Sequence, residues 1–199
     1  MRLLIIFVGF TFFLLSCSGP SRAVTRMATD ETSDISGRWN DSDARMTAEH
    51  ILQQMLTGDW LANFSDMNDA KPVLIIGKIE NRTSEHLDVL VFIDEIEQGL
   101  LNSGEVTFVA SAKERKDVRS ERLDQQSYAD EETAKELANE HAADFMLRGA
   151  ITSVVDSFEG ERTISYKVNL ELIDIENNVK VWMGNKKIKK HIQQDRYRW

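Results

Sequence analysis

The clearest periodicity lies in the last third of the chain. Phe145, Leu147, Ile151 and Val155 share one parity, as do Ile164, Tyr166, Val168, Leu170 and Leu172, and a two-residue repeat predicts strands with one buried face. Gly160 and then Asn177-Asn178, before Val179, Val181 and Met183, mark the connections. An antiparallel three-strand meander with one solvated face is therefore expected. Upstream, Val73-Leu74-Ile75-Ile76-Gly77-Lys78-Ile79 is apolar on both faces of an extended chain, which suits a central, covered strand. Residues 86 to 101 carry Leu90, Ile93, Ile96, Leu100 and Leu101 at helical spacing before the stop signal Asn102-Ser103-Gly104. Val106 to Ala110 then give a short strand. This strand-helix-strand unit allows parallel or next-but-one placement, and the sequence leaves the direction open.

Asp41 or Ser42 can cap a helix with Ala48, Ile51, Leu52 and Met55 on one face, closed by a left-handed Gly58. Trp60, Leu61 and Phe64 are expected to pack in the loop that follows. Residues 112 to 125 read as a charged helix docked loosely by Val118 and Leu123. Asp130 opens another helix, with Ala134, Leu137, Ala138 and His141 on one side. The expected fold class is α+β: a single domain with a mixed or mainly antiparallel sheet of four to five strands and flanking helices.

The N-terminal pattern is of a different kind. Arg2 precedes an apolar run from Leu3 to Leu15, too short for a permanent membrane span and suited to a cleaved signal peptide over residues 1–16. Leu14-Leu15-Ser16-Cys17 resembles a bacterial lipobox, in which the cysteine becomes lipid-modified and N-terminal. Cys17 is the only cysteine of the chain, so no internal disulfide can use it and lipidation gives the thiol a purpose. The bland alternative is an ordinary signal with a coincidental cysteine. Several acyl chains, palmitate among them, would hold the protein stably on a membrane. Ser18 follows where an aspartate would mark inner-membrane retention, which favours the outer membrane. Residues 17–37 hold few large apolar groups and read as a lipidated N-terminus and flexible tether; residues 38–199 read as the folded domain.

Apolar residues at 42% and charged residues at 29% of the 199-residue chain fit an ordinary globular domain. A formal net charge of −9 speaks against a nucleic-acid binder, which needs a basic face to neutralise phosphates. The charge is uneven: Lys186, Lys187, Lys189, Lys190, Arg196 and Arg198 make the C-terminal stretch basic. That stretch would attract an anionic partner such as an acidic protein face, peptidoglycan carboxylates or headgroups. The plainer reading is a charged edge strand that resists sheet-to-sheet pairing. His50, His86, His141 and His191 are scattered, without the spacing of a metal site. Nucleophile elbows and phosphate-binding loops are missing. No metal, no cofactor and no enzyme activity are expected. Sequons at Asn63 and Asn81 are weak matches and carry no weight.

Three stretches point to a family. The apolar strand leads to Asn81-Arg82-Thr83; a helix follows, then Leu101-Asn102-Ser103-Gly104-Glu105-Val106-Thr107-Phe108-Val109, and later Ala142-Ala143-Asp144-Phe145-Met146-Leu147-Arg148-Gly149. In this order they resemble the LpoB-type outer-membrane lipoproteins that activate class A penicillin-binding proteins. The resemblance implies a noncatalytic, lipid-tethered domain similar to the N-terminal domain of TolB. It would face the periplasm, dock on a peptidoglycan synthase and stimulate glycan polymerisation and crosslinking. Activators of this kind carry a long, proline-rich tether, whereas residues 18 to 37 extend at most about 65 Å. Candidates for the docking surface are Arg115, Arg119 and Arg122 on the charged helix and Lys186, Lys187, Lys189 and Lys190 on the tail. The alternative from another class is a structural or assembly lipoprotein of the envelope with a CsgG-like fold.

Lipidation has a direct check. The exported protein is expected to take up labelled palmitate and to pellet with membranes. Cys17→Ser is expected to lose the label and appear in the periplasmic extract.

Overall fold

The computed structural model describes residues 24–28, 30–128 and 142–193. Cys17, the helix expected from Asp130 and the residues from Arg196 onward lie outside them. Thr32–Trp199 forms one compact unit, and Met1–Glu31 is a separate one. Within the larger unit the order is α1 (Asp41–Leu56), α2 (Asp59–Asn68), β1 (Val73–Arg82), α3 (Val89–Ser103), β2 (Thr107–Phe108), α4 (Ala112–Tyr128), β3 (Phe145–Phe158), β4 (Glu161–Asp174) and β5 (Lys180–Gln193). The five strands form one sheet in the order β2-β1-β3-β4-β5. β1 pairs in parallel with both β2 and β3, while β3, β4 and β5 form the antiparallel meander. The fold is α+β with a mixed sheet, and the direction that the sequence left open is parallel.

The local signals at the helix ends were partly misread. Asn40, rather than Asp41 or Ser42, caps α1 through a reciprocal box: its side chain accepts from the Asp43 N–H and Asp43 accepts from the Asn40 N–H. Gly58 has φ −78° and starts α2 instead of ending α1 in a left-handed turn. Trp60, Leu61 and Phe64 consequently lie on a helix, not in a loop. Trp60 is buried with its indole N–H donating to the Met55 carbonyl, so the two helices are joined at a fixed angle. Asp88 caps α3 by accepting from the Leu90 N–H, and Phe92, Ile96 and Leu100 enter the core.

That core lies between one face of the sheet and α1, α2 and α3. Ala44, Ala48, Ile51 and Met55 of α1 meet Leu147 and Ile151 of β3 and Val168, Leu170 and Leu172 of β4. The parity expected for β4 holds along its length, because Ile164, Tyr166, Val168, Leu170 and Leu172 are all buried. On β3 it fails at Val155, which is 39% exposed in the distal hairpin, where β1 no longer pairs. On β5 the register shifts: Leu172 pairs with Trp182 and Ile173 with Lys180, leaving Val181 bulged. The bulge flips the alternation, so Val179 and Met183 are exposed while Trp182, Gly184 and Lys190 turn to the helices. Gly149 is a spacing residue; a Cβ there would overlap the Asn169 carbonyl oxygen.

Among the described residues, Ser42, Asp43, Thr47 and Lys190 are the buried polar groups, and two of them form an ion pair. Lys190, 6% exposed in its side chain, reaches from β5 to Asp43 of α1, 3% exposed, at 2.5 Å. Its ammonium also contacts Asp34 and donates to the Arg38 carbonyl, both at 2.8 Å. Residues 32–37, expected as tether, are thereby strapped onto β5. Gly37, at φ +65°, packs closely on the Ile192 side chain, and a residue with a Cβ there would be strained and would displace Ile192. Beside the strap, the Trp39 N–H donates to the Tyr166 hydroxyl at 3.0 Å, and that hydroxyl donates to Glu85 at 2.8 Å. Burial, and then the Glu85 contact, push the Tyr166 pKa up, so the hydroxyl stays protonated. Glu85 is placed by Asn81-Arg82-Thr83: Asn81 accepts from the Thr83 N–H and donates to the Glu85 carbonyl.

Removing Asp43 leaves the Lys190 ammonium with only the half-exposed Asp34 and the Arg38 carbonyl, at a cost toward the lower end of the range of about 3–5 kcal/mol for a broken buried pair. Asp43→Ala is therefore expected to lower unfolding stability by that order in urea titration. Asp34→Ala, at a side chain 45% exposed, is expected to cost about 1 kcal/mol or less. The double variant Asp43→Asn/Lys190→Met is expected to recover most of the Asp43→Ala loss.

Candidate docking surfaces

The basic stretch of β5 does not form one surface. Strand geometry sends alternate residues to opposite faces, and the register pairs Val168 with Lys186, Lys167 with Lys187, Ser165 with Lys189 and Ile164 with Lys190. Lys187 and Lys189 are exposed on the face away from the helices, and Lys186 is half-buried on the helix side. Lys190 corrects the sequence expectation: it is a structural bolt, its charge taken up by Asp43 and Asp34, and offers nothing to a partner. A run of lysines in a sequence looks like one patch, but a strand divides it in two.

α4 carries the three arginines in a different setting. Ser111 and Glu114 open the helix, with the Ser111 N–H donating to the Glu114 carboxylate at 2.7 Å. The Ser111 hydrogen bonds hold the Glu114 carboxyl below its usual pKa. Arg115 is folded back, its guanidinium donating to the Ala110 carbonyl at 2.8 Å. Arg119 is exposed, and Arg122 is half-buried along a shallow depression shared with Asp117, Val118 and Glu121. Val118 and Leu123, expected to dock the helix, are 46% and 56% exposed and absent from the core. α4 thus presents mixed charge and two unburied apolar side chains.

A third surface was not anticipated from sequence. A cleft of about 700 Å³ opens between α2, the residues just before β3 and the turn from β4 to β5. Its floor is aromatic: the Phe145 ring meets Trp60 and Phe64 edge-on, with centroids 5.6 and 5.3 Å apart. Asp144 fixes the floor, its side chain accepting from the Val73 N–H at 2.8 Å while its carbonyl accepts from the Ile175 N–H at 2.9 Å. The wall formed by the turn is equally fixed. Asp174 accepts from the N–H groups of Glu176 and Asn177 at 2.8 and 2.9 Å, and the Asn177 contacts hold its carboxyl below the usual range. Four carboxylates line the cleft, those of Asp59, Asp144, Asp174 and Glu176. The lining cation, Lys180, lies 2.5 Å from Glu171, which also takes Arg148 at 3.2 Å. Sequence reasoning assigned Trp60 and Phe64 to core filling and could not see that the β4–β5 turn returns beside them. Among the described residues, no group of three or more His, Cys, Asp or Glu is placed to hold a metal ion.

A protein-family model described as peptidoglycan-synthase activator LpoB matches residues 43–188. Among solved structures, the chain is similar to the LpoB C-terminal domain from Salmonella enterica, at 14% identity and a TM-score of 0.40, covering 76% of this chain and 99% of that one. The LpoB C-terminal domain from Escherichia coli gives 15% identity, the same coverage of 76% and 99%, and a TM-score of 0.40. Lipoprotein GNA1162 from Neisseria meningitidis is similar over 60% of this chain and 83% of its own, at 10% identity and a TM-score of 0.36. No curated protein matches the sequence.

The division of the lysines is open to a chemical check. Brief treatment of the native protein with an amine-reactive reagent is expected to label Lys187 and Lys189 and to spare Lys190. All three are expected to label once the protein is denatured.

Proposed function

This chain belongs to the LpoB family of peptidoglycan-synthase activators, and from that premise we propose that it is a noncatalytic outer-membrane lipoprotein that binds and activates a class A penicillin-binding protein. The observation that carries the reading is the family match over residues 43–188, which begins within α1, ends within β5 and takes in every described element between them. An activator of this kind needs no reacting group. It raises the rate by binding the active conformation of the synthase more tightly than the inactive one, and the shift is limited by that difference in affinity.

The strap constrains where such a partner must stand. Asp34 and Arg38 are tied to Lys190, so the tether from a lipidated Cys17 ends near residue 33. Fully extended, those residues span about 55 Å, and as a coil considerably less. The reading therefore calls for a synthase whose docking domain rises to within that distance, plus the breadth of the folded domain, of the outer-membrane surface. Docking through α4 or the exposed lysines of β5 stays within the same proposal, with Arg119, Arg122, Lys187 and Lys189 as the accessible candidates.

The purified domain is expected to bind a class A synthase encoded in its own genome and to raise its glycosyltransferase rate. Absence of both effects with every such synthase would sink the assignment. Arg119→Glu/Arg122→Glu is expected to abolish binding while leaving the circular dichroism spectrum unchanged; unaltered affinity would remove α4 from the interface.

A further inference from the structure

The cleft between α2 and the β4–β5 turn has the attributes of a site, and nothing in the fold requires them. Met67, Ile175 and Val179 are 77%, 41% and 54% exposed at its mouth, a concentration of apolar side chains that marks interaction surfaces on soluble domains. The turn that displays Ile175 and Val179 is locked by Asp174, by the Asp174 N–H donating to the Val179 carbonyl at 2.8 Å, and by Asn178 at φ +58°. A preformed wall keeps the ordering cost of binding low. Met67, on the opposite wall, supplies an adaptable contact.

We propose that this cleft docks a cationic segment of a partner protein, one that inserts a bulky apolar or aromatic side chain between Arg or Lys residues; resting on the reading above, the partner is the synthase. The volume of about 700 Å³ lies in the range of clefts that enclose small ligands and accommodates such an anchor with its flanking side chains. The occupant is selected by charge. Asp59, Asp144, Asp174 and Glu176 outnumber the one lining cation, Lys180, which is drawn to Glu171. Lipid phosphates and the carboxylates of peptidoglycan stem peptides would be repelled, whereas a basic segment is steered in. This surface has the opposite sign to the exposed lysines of β5, so the two would contact different parts of a partner.

The test uses Met67→Lys/Glu176→Lys, which changes two exposed side chains outside the core and reverses the chemistry of the mouth. Affinity for the synthase is expected to fall about tenfold or more, a change of about 1.4 kcal/mol per decade. Met67→Leu/Glu176→Asp is expected to stay within about twofold of the parent. In parallel, a fluorescein-labelled Gly-Arg-Leu-Arg-Trp-Lys-Gly peptide is expected to bind the parent, to weaken with added salt, and to lose about tenfold on the charge-reversed variant; Gly-Glu-Leu-Glu-Trp-Glu-Gly is expected not to bind. Synthase binding that survives the reversal overturns the cleft and leaves the activator reading standing. Peptide binding that is lost on the reversal, with no synthase binding by the parent, upholds the cleft and overturns that reading. A parent that dimerises through this face, or a reversal that lowers the melting temperature by many degrees without weakening the peptide, shows the cleft filled by a second copy or by the chain itself and overturns the proposal.

Discussion

A charged amine in a protein interior must be paired, and that requirement organises this domain. Lys190 extends from the outermost long strand across the sheet edge to Asp43 inside the first turn of α1. Asp43 is at the same time the second half of the capping box that begins the helix. The start of α1, the end of β5 and the strap at Asp34 and Arg38 therefore share one electrostatic centre. Apolar packing supplies the bulk of the stability, but it is non-directional. The ion pair is what sets α1 against β5 in one register, because a slip of the strand by one residue would carry the ammonium to the far face and strand both charges.

Around that centre, backbone devices decide which side chains are offered to the outside. The bulge at Val181 turns Trp182 inward, where its indole N–H donates to the Gln54 carbonyl at 3.2 Å, and releases Met183 to the surface. The same bulge sets the parity of everything that follows it in β5. Lys186 and Lys190 lie on the helix side, while Lys187 and Lys189 face away. One irregularity near the start of the strand thus determines which cations reach solvent several residues later.

The surfaces that remain are suited to recognition. α4 is held at its start by Ser111 and Glu114 and contributes no side chain to the core cluster, which leaves its face available at little cost to the fold. The cleft beside α2 combines an aromatic floor with a hydrogen-bonded turn and four carboxylates. Membership of an activator family fits such an arrangement, since docking requires firm, complementary surfaces.

The sequence alone determined the strands of the meander, the apolar β1, α3, the charged α4 and the α+β class, because each rests on a short-range period that the backbone imposes. It also carried the family, through the order of the Asn81-Arg82-Thr83, Leu101–Val109 and Ala142–Gly149 stretches. It misplaced the cap of α1, the role of Gly58 and the helix around Trp60, where neighbouring polar residues offer nearly equivalent hydrogen bonds and tertiary contact selects among them. Only the tertiary structure decided the fate of Lys190 and the existence of the cleft. Lys190 reads as one more surface lysine until Asp43, far away along the chain, is brought within ion-pair distance. Trp60 and Phe64 do pack with the core, and only the placement of the β4–β5 turn beside them makes them also the floor of a cleft. Burial and charge pairing depend on which distant residues meet, and periodicity along a chain reports only which face a residue occupies.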